Sequence, residues 1–123
     1  MIRARTILTV DDSRTMRELL LAALTDMGHR VVQADDGVAG LERLREQPAD
    51  VIITDINMTR LDGFGFIEGV RAHPRYRAIP ILVLSTESST EKKLRARDAG
   101  ATGWIVKPFD PAKLADAIRR ITA

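Results

Sequence analysis

The chain has 123 residues, of which 45% are hydrophobic and 29% are charged. These values are typical of one globular domain, so a disordered chain and a coiled-coil rod are excluded. The 19 lysines and arginines against 17 acidic residues leave a net charge of +2, which is weak evidence for nucleic-acid binding. There is no cysteine, so disulfides, thiolate metal sites and cysteine nucleophiles are excluded as well.

The sequence carries no targeting or membrane signal. Residues 1–12 contain only a short semi-apolar stretch before two aspartates, which is unlike a signal peptide. No apolar run approaches the ~18 residues that a membrane span requires. We therefore expect a cytoplasmic protein with neither a membrane nor a nucleic acid as its partner.

Short apolar runs alternate along the chain with longer amphipathic segments. The runs begin about 20–30 residues apart, which is the spacing of parallel strands joined by helical crossovers. Several are β-branched and continuously apolar, as strands buried on both faces are. They are Ile7–Val10, Val31–Val32, Val51–Ile53, Ile81–Leu84 and Trp104–Val106.

The amphipathic segments between the runs predict helices. In the first, apolar residues recur at helical spacing from residue 16 to residue 27. Ser13 is available to cap its start, and Gly28 stands where a left-handed cap would end it. Leu41 and Leu44 mark a second helix, and residues 66–70 mark a third. Before the third, residues 63–65 form a Gly-x-Gly fragment that we interpret as a turn opening the helix, not as a phosphate loop.

The last two helices have clear start and stop signals. Ser88 and Glu91 form a capping-box pattern for the fourth helix, which Gly100 is expected to end. Asp110 and Pro111 are an N-cap and a first-turn proline for the fifth. Two histidines, at positions 29 and 73, stand beside turn residues and are predicted to lie in surface loops.

Five strands that alternate with five helices predict an α/β fold. The expected architecture is a doubly wound, flavodoxin-like (βα)5 parallel sheet with strand order 2-1-3-4-5. Residues 1–123 are expected to form this one domain. In such sheets, ligands bind beyond the carboxyl ends of the strands, where the strand order reverses.

Polar residues of a particular kind follow four of the apolar runs. Asp11 and Asp12 follow the first, Asp55 the third, Ser85 the fourth and Lys107 the fifth. Any one of them alone is explained as a turn former, a helix cap or an incidental residue. Together, at neighbouring strand ends, three carboxylates need a cation or must take up protons. Carboxylates without histidine or cysteine favour a hard ion, Mg²⁺ before Ca²⁺, and an ammonium and a hydroxyl suit a phosphate group.

This constellation resembles the receiver domain of two-component response regulators. The similarity covers the whole chain and extends to the stand-alone chemotaxis regulators of the CheY type. The segments that carry it are VDDSRTMRELL, TDINMTRLDGFGFIEGVR, IPILVLSTES and AGATGWIVKPFDP.

The resemblance implies a role for each residue of the site. Asp55 would be the phosphoacceptor, which takes a phosphoryl group from a histidine of a sensor histidine kinase. Asp11 and Asp12 would hold Mg²⁺ together with Asp55 and the backbone carbonyl of Asn57. The phosphoryl oxygens would be bound by Ser85 and Lys107, and the peptide bond between Lys107 and Pro108 would be cis.

The resemblance also implies a switch and a means of setting its lifetime. Trp104 would turn inward when Ser85 moves toward the phosphoryl group; the alternative is an edge-strand residue that lies flat on the surface. Asn57 and Glu87 flank the site and would tune dephosphorylation by positioning or excluding water. Two residues depart from the common family pattern, since Thr59 replaces a frequent proline and Thr86 a frequent glycine or alanine.

The fourth helix is predicted to be the partner surface. Its apolar face is poor, and a basic helix beside Trp104 is suited to an acidic or amphipathic segment of a partner. The alternative is a solvated charged face, supported by a Glu91–Arg95 pair. The residues of this predicted surface are Lys92, Lys93, Arg95, Arg97 and Trp104.

The resemblance therefore predicts a monomeric, Mg²⁺-dependent signalling switch without turnover of an external substrate, with the flagellar motor switch as the suggested target. A related alternative is a phosphate sink or a carrier in a phosphorelay. A remote alternative is a small phosphohydrolase, since Asp55, Asn57 and Thr59 resemble the DxDxT motif of haloacid-dehalogenase-like enzymes. A further alternative is a binding module that is never phosphorylated, against which the acidic site argues.

Overall fold

A computed structural model describes residues 3–123 of the chain. Strands form at the apolar runs and helices between them, in strict alternation. The strands are β1 (Thr6–Val10), β2 (Arg30–Ala34), β3 (Val51–Thr54), β4 (Ile81–Ser85) and β5 (Gly103–Val106). The helices are α1 (Arg14–Asp26), α2 (Gly37–Glu46), α3 (Gly63–Ala72), α4 (Thr90–Ala99) and α5 (Pro111–Ile121).

The five strands form one parallel sheet in the order β2-β1-β3-β4-β5, which confirms the predicted topology. The register places Val10 beside Thr54 at the carboxyl ends of β1 and β3. The chain crosses from β2 back over β1 to reach β3, so the strand order reverses at the β1–β3 pair. The segments that follow these two strands therefore emerge side by side at the switch point.

The strands bury alternate residues on the two faces of the sheet, as a period of two requires. Ile7 packs with Leu20 and Leu24 of α1 and with Leu114 and Ile118 of α5. On the opposite face, a second core cluster joins the sheet to α2, α3 and α4. Its most buried members include Leu8, Ile52, Leu44, Phe66, Ile67 and Ala96. Helices thus cover both faces and leave the strand ends accessible.

Helix caps fix where the loops of the carboxyl edge begin. Ser13 Oγ accepts a hydrogen bond from Met16 N at 3.2 Å and starts α1, as predicted. Asp110 caps α5, while Gly100, with φ of 120°, ends α4. Gly28 follows α1 with φ of 92°, in the left-handed region that favours glycine. The Lys107–Pro108 peptide bond is cis, as the resemblance implied.

Two local predictions were wrong. The N-cap of α4 is Ser89, whose Oγ accepts from Lys92 N at 3.2 Å, because the loop after β4 is one residue longer than the Ser88 capping box allows. His29 is not a surface residue, since only 5% of it is exposed. Its Nδ1 accepts from Arg5 N at 3.0 Å, so the turn after α1 seats the ring against the segment that enters β1. Within residues 3–123, none of the helices is long and apolar enough to span a bilayer.

Candidate functional site at the carboxyl edge of the sheet

The fold brings the predicted acidic residues together. Asp11 and Asp12 directly follow β1, and Asp55 directly follows the neighbouring strand β3. Oxygen atoms of the three carboxylates lie within 4.8 Å of one another. Asp11 and Asp55 are buried, while Asp12 is exposed at the rim. Three converging carboxylates with one open side are a donor set that fits a hard divalent cation.

Lys107 enters this acidic group from β5. Its Nζ donates to Asp11 Oδ2 and to Asp55 Oδ2, at 2.9 Å in each case. The Lys107 side chain is only 10% exposed, so solvent screens these ion pairs weakly. The ammonium therefore supplies part of the positive charge that the carboxylates require. The sequence predicts that Lys107 lies near them, but not that it pairs with both Asp11 and Asp55.

Burial and ion pairing have opposite effects on the pKa values of Asp11 and Lys107. Burial raises the pKa of Asp11, and the hydrogen bond from Lys107 offsets this rise only in part. Burial alone would lower the pKa of Lys107, but hydrogen bonds to Asp11 and Asp55 outweigh it, and the net shift is upward. Lys107 is therefore a cation at neutral pH.

Backbone groups orient the two buried carboxylates. Ser13 N donates to Asp11 Oδ1 at 2.9 Å, and Ile56 N donates to Asp55 Oδ1 at 2.7 Å. The Arg17 guanidinium also holds the backbone carbonyl of Asp11 at 2.6 Å. For each carboxylate, one oxygen is held by backbone and the other faces Lys107. The second oxygen of Asp55 is consequently bonded to a side chain and not to the backbone.

Ser85 and Glu87 form the other wall of the site. Ser85 is fully buried at the end of β4, and its Oγ accepts from Glu87 N at 3.2 Å. Asn57 lies two residues after Asp55, and its Nδ2 donates to Glu87 Oε1 at 3.5 Å. The two side chains predicted to tune dephosphorylation are thus in contact with each other.

Trp104 is joined to this wall through the backbone. Its Nε1 donates to the carbonyl oxygen of Glu87 at 3.0 Å, and its ring packs on the core cluster beneath α2, α3 and α4. The residue is half-buried although β5 is an edge strand of the sheet. The loop after β4 therefore connects Ser85 at the site to Trp104 on β5.

The basic surface of α4 has few buried residues, and one of its arginines packs on an aromatic ring. Ala96 is the one buried residue of α4, and Leu94 is 48% exposed. Arg95 lies over the ring of Phe64, with the guanidinium carbon 4.0 Å from the ring centroid. The suggested Glu91–Arg95 pair does not occur within residues 3–123.

One member of that surface contacts the site directly. Lys92 Nζ donates to Glu87 Oε1 at 2.8 Å, and this hydrogen bond lowers the pKa of Glu87. Lys93 and Arg97 line a cavity of about 160 Å³ between α4 and β5, which Trp104 also borders. The Lys92–Glu87 pair crosses a loop whose conformation the sequence does not reveal, so no pattern could have predicted it.

Comparison with known proteins agrees with this site. The family profile described as "Response regulator receiver domain" matches residues 7–119. The chain therefore belongs to the response regulator receiver domain family.

The similar proteins also indicate the kind of receiver. The chemotaxis protein CheY-3 of Vibrio cholerae is 36% identical over 94% of this chain and 89% of its own length. The chemotaxis protein CheY of Pseudomonas aeruginosa is 35% identical over 94% of each chain. The solved structure of Vibrio cholerae CheY4 superposes with a TM-score of 0.92 and 41% identity, covering 97% of this chain and 99% of its own. This chain is thus a receiver domain of the CheY type.

A further solved structure bears on the metal. The receiver domain of a Pseudomonas aeruginosa sensor histidine kinase, described with a magnesium ion coordinated in its active-site cleft, has a TM-score of 0.90. It is 27% identical over 98% of this chain and 100% of its own. The acidic pocket formed by Asp11, Asp12 and Asp55 fits the same ion, since carboxylate oxygens are the ligands that Mg²⁺ prefers.

Proposed function

We propose that the chain is a phosphorylation-activated signalling switch in which Asp55 accepts a phosphoryl group from a phosphohistidine of a sensor histidine kinase. The observation that carries this proposal is the convergence of the Lys107 ammonium, 2.9 Å from Asp55 Oδ2, with the carboxylates of Asp11 and Asp12. A nucleophilic carboxylate flanked by cations is the arrangement that phosphoryl transfer needs, because catalysis of this reaction is mainly electrostatic and positional.

In the proposed reaction, Asp55 Oδ2 forms a bond to phosphorus while the bond from phosphorus to the histidine nitrogen breaks. The electron pair of that bond stays on the leaving imidazole. Asp11, Asp12, Asp55 and the backbone carbonyl of Asn57 would hold Mg²⁺, which would supply positive charge to neutralise the transferred group. The ammonium of Lys107 then exchanges Asp55 for a phosphoryl oxygen, and the Ser85 hydroxyl donates to another.

The proposed switch follows from the contacts of the loop after β4. A Ser85 hydroxyl that turns toward the phosphoryl group gives up its contact with Glu87 N, now 3.2 Å long. Glu87 in turn carries the carbonyl that holds the Trp104 ring. Movement at Ser85 would thereby reach Trp104 and the surface formed by α4, β5 and α5, and change its affinity for a partner.

Trp104, the single tryptophan, reports on this coupling. We expect its fluorescence to change on addition of Mg²⁺ with beryllofluoride, a phosphoryl mimic, because its indole N–H contacts the responding loop. The change should saturate and should be lost in Asp55→Asn. A saturable response that is identical in Asp55→Asn would contradict the proposed site, and a phosphorylated protein with no response would contradict the role of Trp104.

Glu87 and Asn57 are proposed to set the lifetime of the aspartyl phosphate. Their side chains are in contact with each other, and Asn57 lies two residues after Asp55, so together they would hold the attacking water. Glu87→Leu should therefore lengthen the lifetime about tenfold, as the loss of a positioned water does. The lifetime is measured by the decay of the phosphorylated species after removal of the phosphodonor. Glu91→Leu, on the exposed side of α4, is the control, and equal lifetimes in the two variants would refute this role.

The partner of the activated form is proposed to be a protein with an acidic or amphipathic segment that docks on Lys92, Lys93, Arg95, Arg97 and Trp104. The names of the similar proteins suggest chemotaxis, and the flagellar motor switch is the corresponding target. A phosphate sink or phosphorelay carrier would use the same Asp55 chemistry without this docking step. We propose that residues 1–123 act as one cytoplasmic, monomeric receiver that binds no nucleic acid.

Turnover of an external phosphate ester is not part of this proposal. In the DxDxT motif, the second acid acts as a general acid and base, and the residue at that position here is Asn57. An amide cannot take that role. Receiver domains are signalling switches, and the proposed hydrolysis is limited to the acyl phosphate that the chain itself forms.

A further inference from the structure

The loop between β3 and α3 is clamped to the start of α2 by an ion pair that the sequence analysis did not detect. Arg60 Nε donates to Asp36 Oδ2 at 2.6 Å, and Arg60 Nη2 donates to Asp36 Oδ1 at 3.1 Å. Only 4% of Asp36 is exposed, although the arginine side chain is 56% exposed. Two parallel hydrogen bonds to one carboxylate fix orientation as well as distance. The hydrogen bond from Arg60 lowers the pKa of Asp36, so this carboxylate is ionised at neutral pH.

The backbone around this clamp is in close contact with α2. Gly37 N donates to Leu61 O at 3.1 Å. A Cβ atom built on Gly37 would lie 2.6 Å from that same oxygen, so only glycine allows the loop to approach this closely. Asp36 is also the N-cap of α2, where its Oδ1 accepts from Ala39 N at 2.9 Å. The clamp therefore joins the loop to a rigid helix end.

The backbone of Arg60 has a conformation that neighbouring contacts must stabilise. Its φ is 62°, in the left-handed region that costs free energy for a residue with a long side chain. Such a conformation persists only where the surroundings over-determine it. The fork to Asp36 and the bond between Leu61 and Gly37 supply that constraint on both sides of the Arg60–Leu61 peptide.

The clamped segment is the one that carries the proposed metal ligands. It begins at Asp55 and includes Asn57, whose backbone carbonyl is a proposed Mg²⁺ ligand. At its far end, Gly63 N donates back to Ile56 O at 2.8 Å, which closes the loop on itself. Within the part of the chain that the structure describes, the Asn57–Glu87 contact of 3.5 Å is the one side-chain bond holding residues 57–59 from the other direction. Met58 and Leu61 also pack against the core cluster beneath α2, α3 and α4, so the Asp36–Arg60 pair is one of the contacts that set the position of the Asn57 carbonyl.

We infer that the Asp36–Arg60 pair is a positioning device for the metal site, which holds the loop after β3 at the distance and orientation that Mg²⁺ binding requires. The inference rests on the proposed function, since it concerns the affinity of that site. Neither residue is among the proposed ligands of the ion or of the phosphoryl group. Both act through the backbone of residues 57–61.

Because Arg60 is positively charged, replacing it distinguishes a positioning effect on Mg²⁺ binding from a purely electrostatic one. Removal of a positive charge near an acidic site strengthens cation binding if the field alone matters. Removal of the clamp weakens binding if position matters, because the loop must then be ordered when the ion binds. The two explanations predict opposite signs for Arg60→Gln.

The test is a titration of the full chain with magnesium chloride, followed by the amide chemical shifts of the loop residues. Arg60→Gln should weaken Mg²⁺ binding about threefold to tenfold, which is less than the roughly tenfold to hundredfold effect of substituting a direct partner of a metal ligand, because Arg60 acts through the backbone. Arg14→Gln is the matched control, because it removes the same charge at an exposed position just after Asp12. The control should bind Mg²⁺ as tightly as the wild type or slightly more tightly.

A second variant shows whether the pair acts as a unit. Asp36→Asn loses the ion pair but retains a good N-cap for α2. It should weaken binding as Arg60→Gln does, and the double variant should be no weaker than either single variant. Arg60→Lys keeps the charge without the two-pronged hydrogen bonding, so its Mg²⁺ affinity should be intermediate. It also serves as the test variant if Arg60→Gln folds poorly.

The outcomes distinguish this inference from the proposed function. Unchanged or tighter Mg²⁺ binding in Arg60→Gln, with normal binding in the wild type and loss in Asp12→Asn, overturns the clamp and leaves the metal site standing. Additive losses in the double variant also overturn it. Absence of Mg²⁺ binding in the wild type overturns the proposed site and the clamp together.

Discussion

Asp55→Asn should carry no phosphoryl group after incubation with acetyl phosphate and Mg²⁺, whereas the wild type should acquire one. The asparagine amide keeps the shape of the side chain and the hydrogen bond from Ile56 N, but it is no nucleophile for phosphorus at neutral pH. The intact mass of the protein measures the adduct directly. The expected effect is complete loss, because Asp11 and Asp12 are proposed to hold the ion while Asp55 is the proposed nucleophile.

The control for this experiment is another acid of the same loop. Asp62 is exposed, and its side chain caps α3 by accepting from Gly65 N at 2.8 Å. Asp62→Asn preserves that cap and removes the same charge, so it should be phosphorylated like the wild type. An adduct that persists in Asp55→Asn, or that disappears in Asp62→Asn, would show that Asp55 is not the acceptor.

Lys107→Met should bind Mg²⁺ more tightly than the wild type and yet fail to couple phosphorylation to Trp104. The ammonium occupies one oxygen each of Asp11 and Asp55, so its removal leaves both free for the ion. One unit of positive charge about 4 Å away opposes a cation by roughly 1 kcal/mol in water and about 4 kcal/mol at a half-buried site. Allowing for relaxation, we expect affinity to rise about tenfold.

The coupling should be lost in the same variant because a thioether cannot pair with a phosphoryl oxygen. Beryllofluoride should then bind weakly and leave Trp104 fluorescence unchanged. Lys113→Met, which removes an exposed charge from the start of α5, is the matched control and should behave as the wild type. Weaker Mg²⁺ binding in Lys107→Met, or an unaltered Trp104 response, would contradict the role assigned to this ammonium.

Much of the fold and of the central site could be predicted from the sequence because both depend on short-range patterns. Buried strands require continuous apolar runs, and the right-handed crossover rule leaves few ways to order them. Once the order is set, the residues that follow β1, β3 and β5 must converge at one edge. Asp11, Asp12, Asp55 and Lys107 were therefore placed correctly without any knowledge of side-chain conformation.

The contacts that could not be predicted depend on loop conformation. Lys92 pairs with Glu87 because α4 begins at Thr90, one residue later than the capping pattern suggested. The Asp36–Arg60 pair requires a left-handed backbone at Arg60, for which glycine or asparagine is the usual signal. His29 was misplaced because a position beside a turn does not reveal which way a ring points. The Arg5–His29 and Asp36–Arg60 contacts join segments that are 24 residues apart, and the Lys92–Glu87 pair depends on the conformation of the loop between β4 and α4.

Chemistry at Asp55 is proposed to change the surface formed by α4, β5 and α5. The most direct test is a comparison of backbone amide chemical shifts with Mg²⁺ alone and with Mg²⁺ plus beryllofluoride. We expect beryllofluoride to cause shifts not only at Asp55 and Ser85 but also at Glu87, Lys92 and Trp104, all of them absent in Asp55→Asn. Shifts confined to the loops that carry Asp11, Asp55, Ser85 and Lys107, with α4 and β5 unchanged, would contradict it.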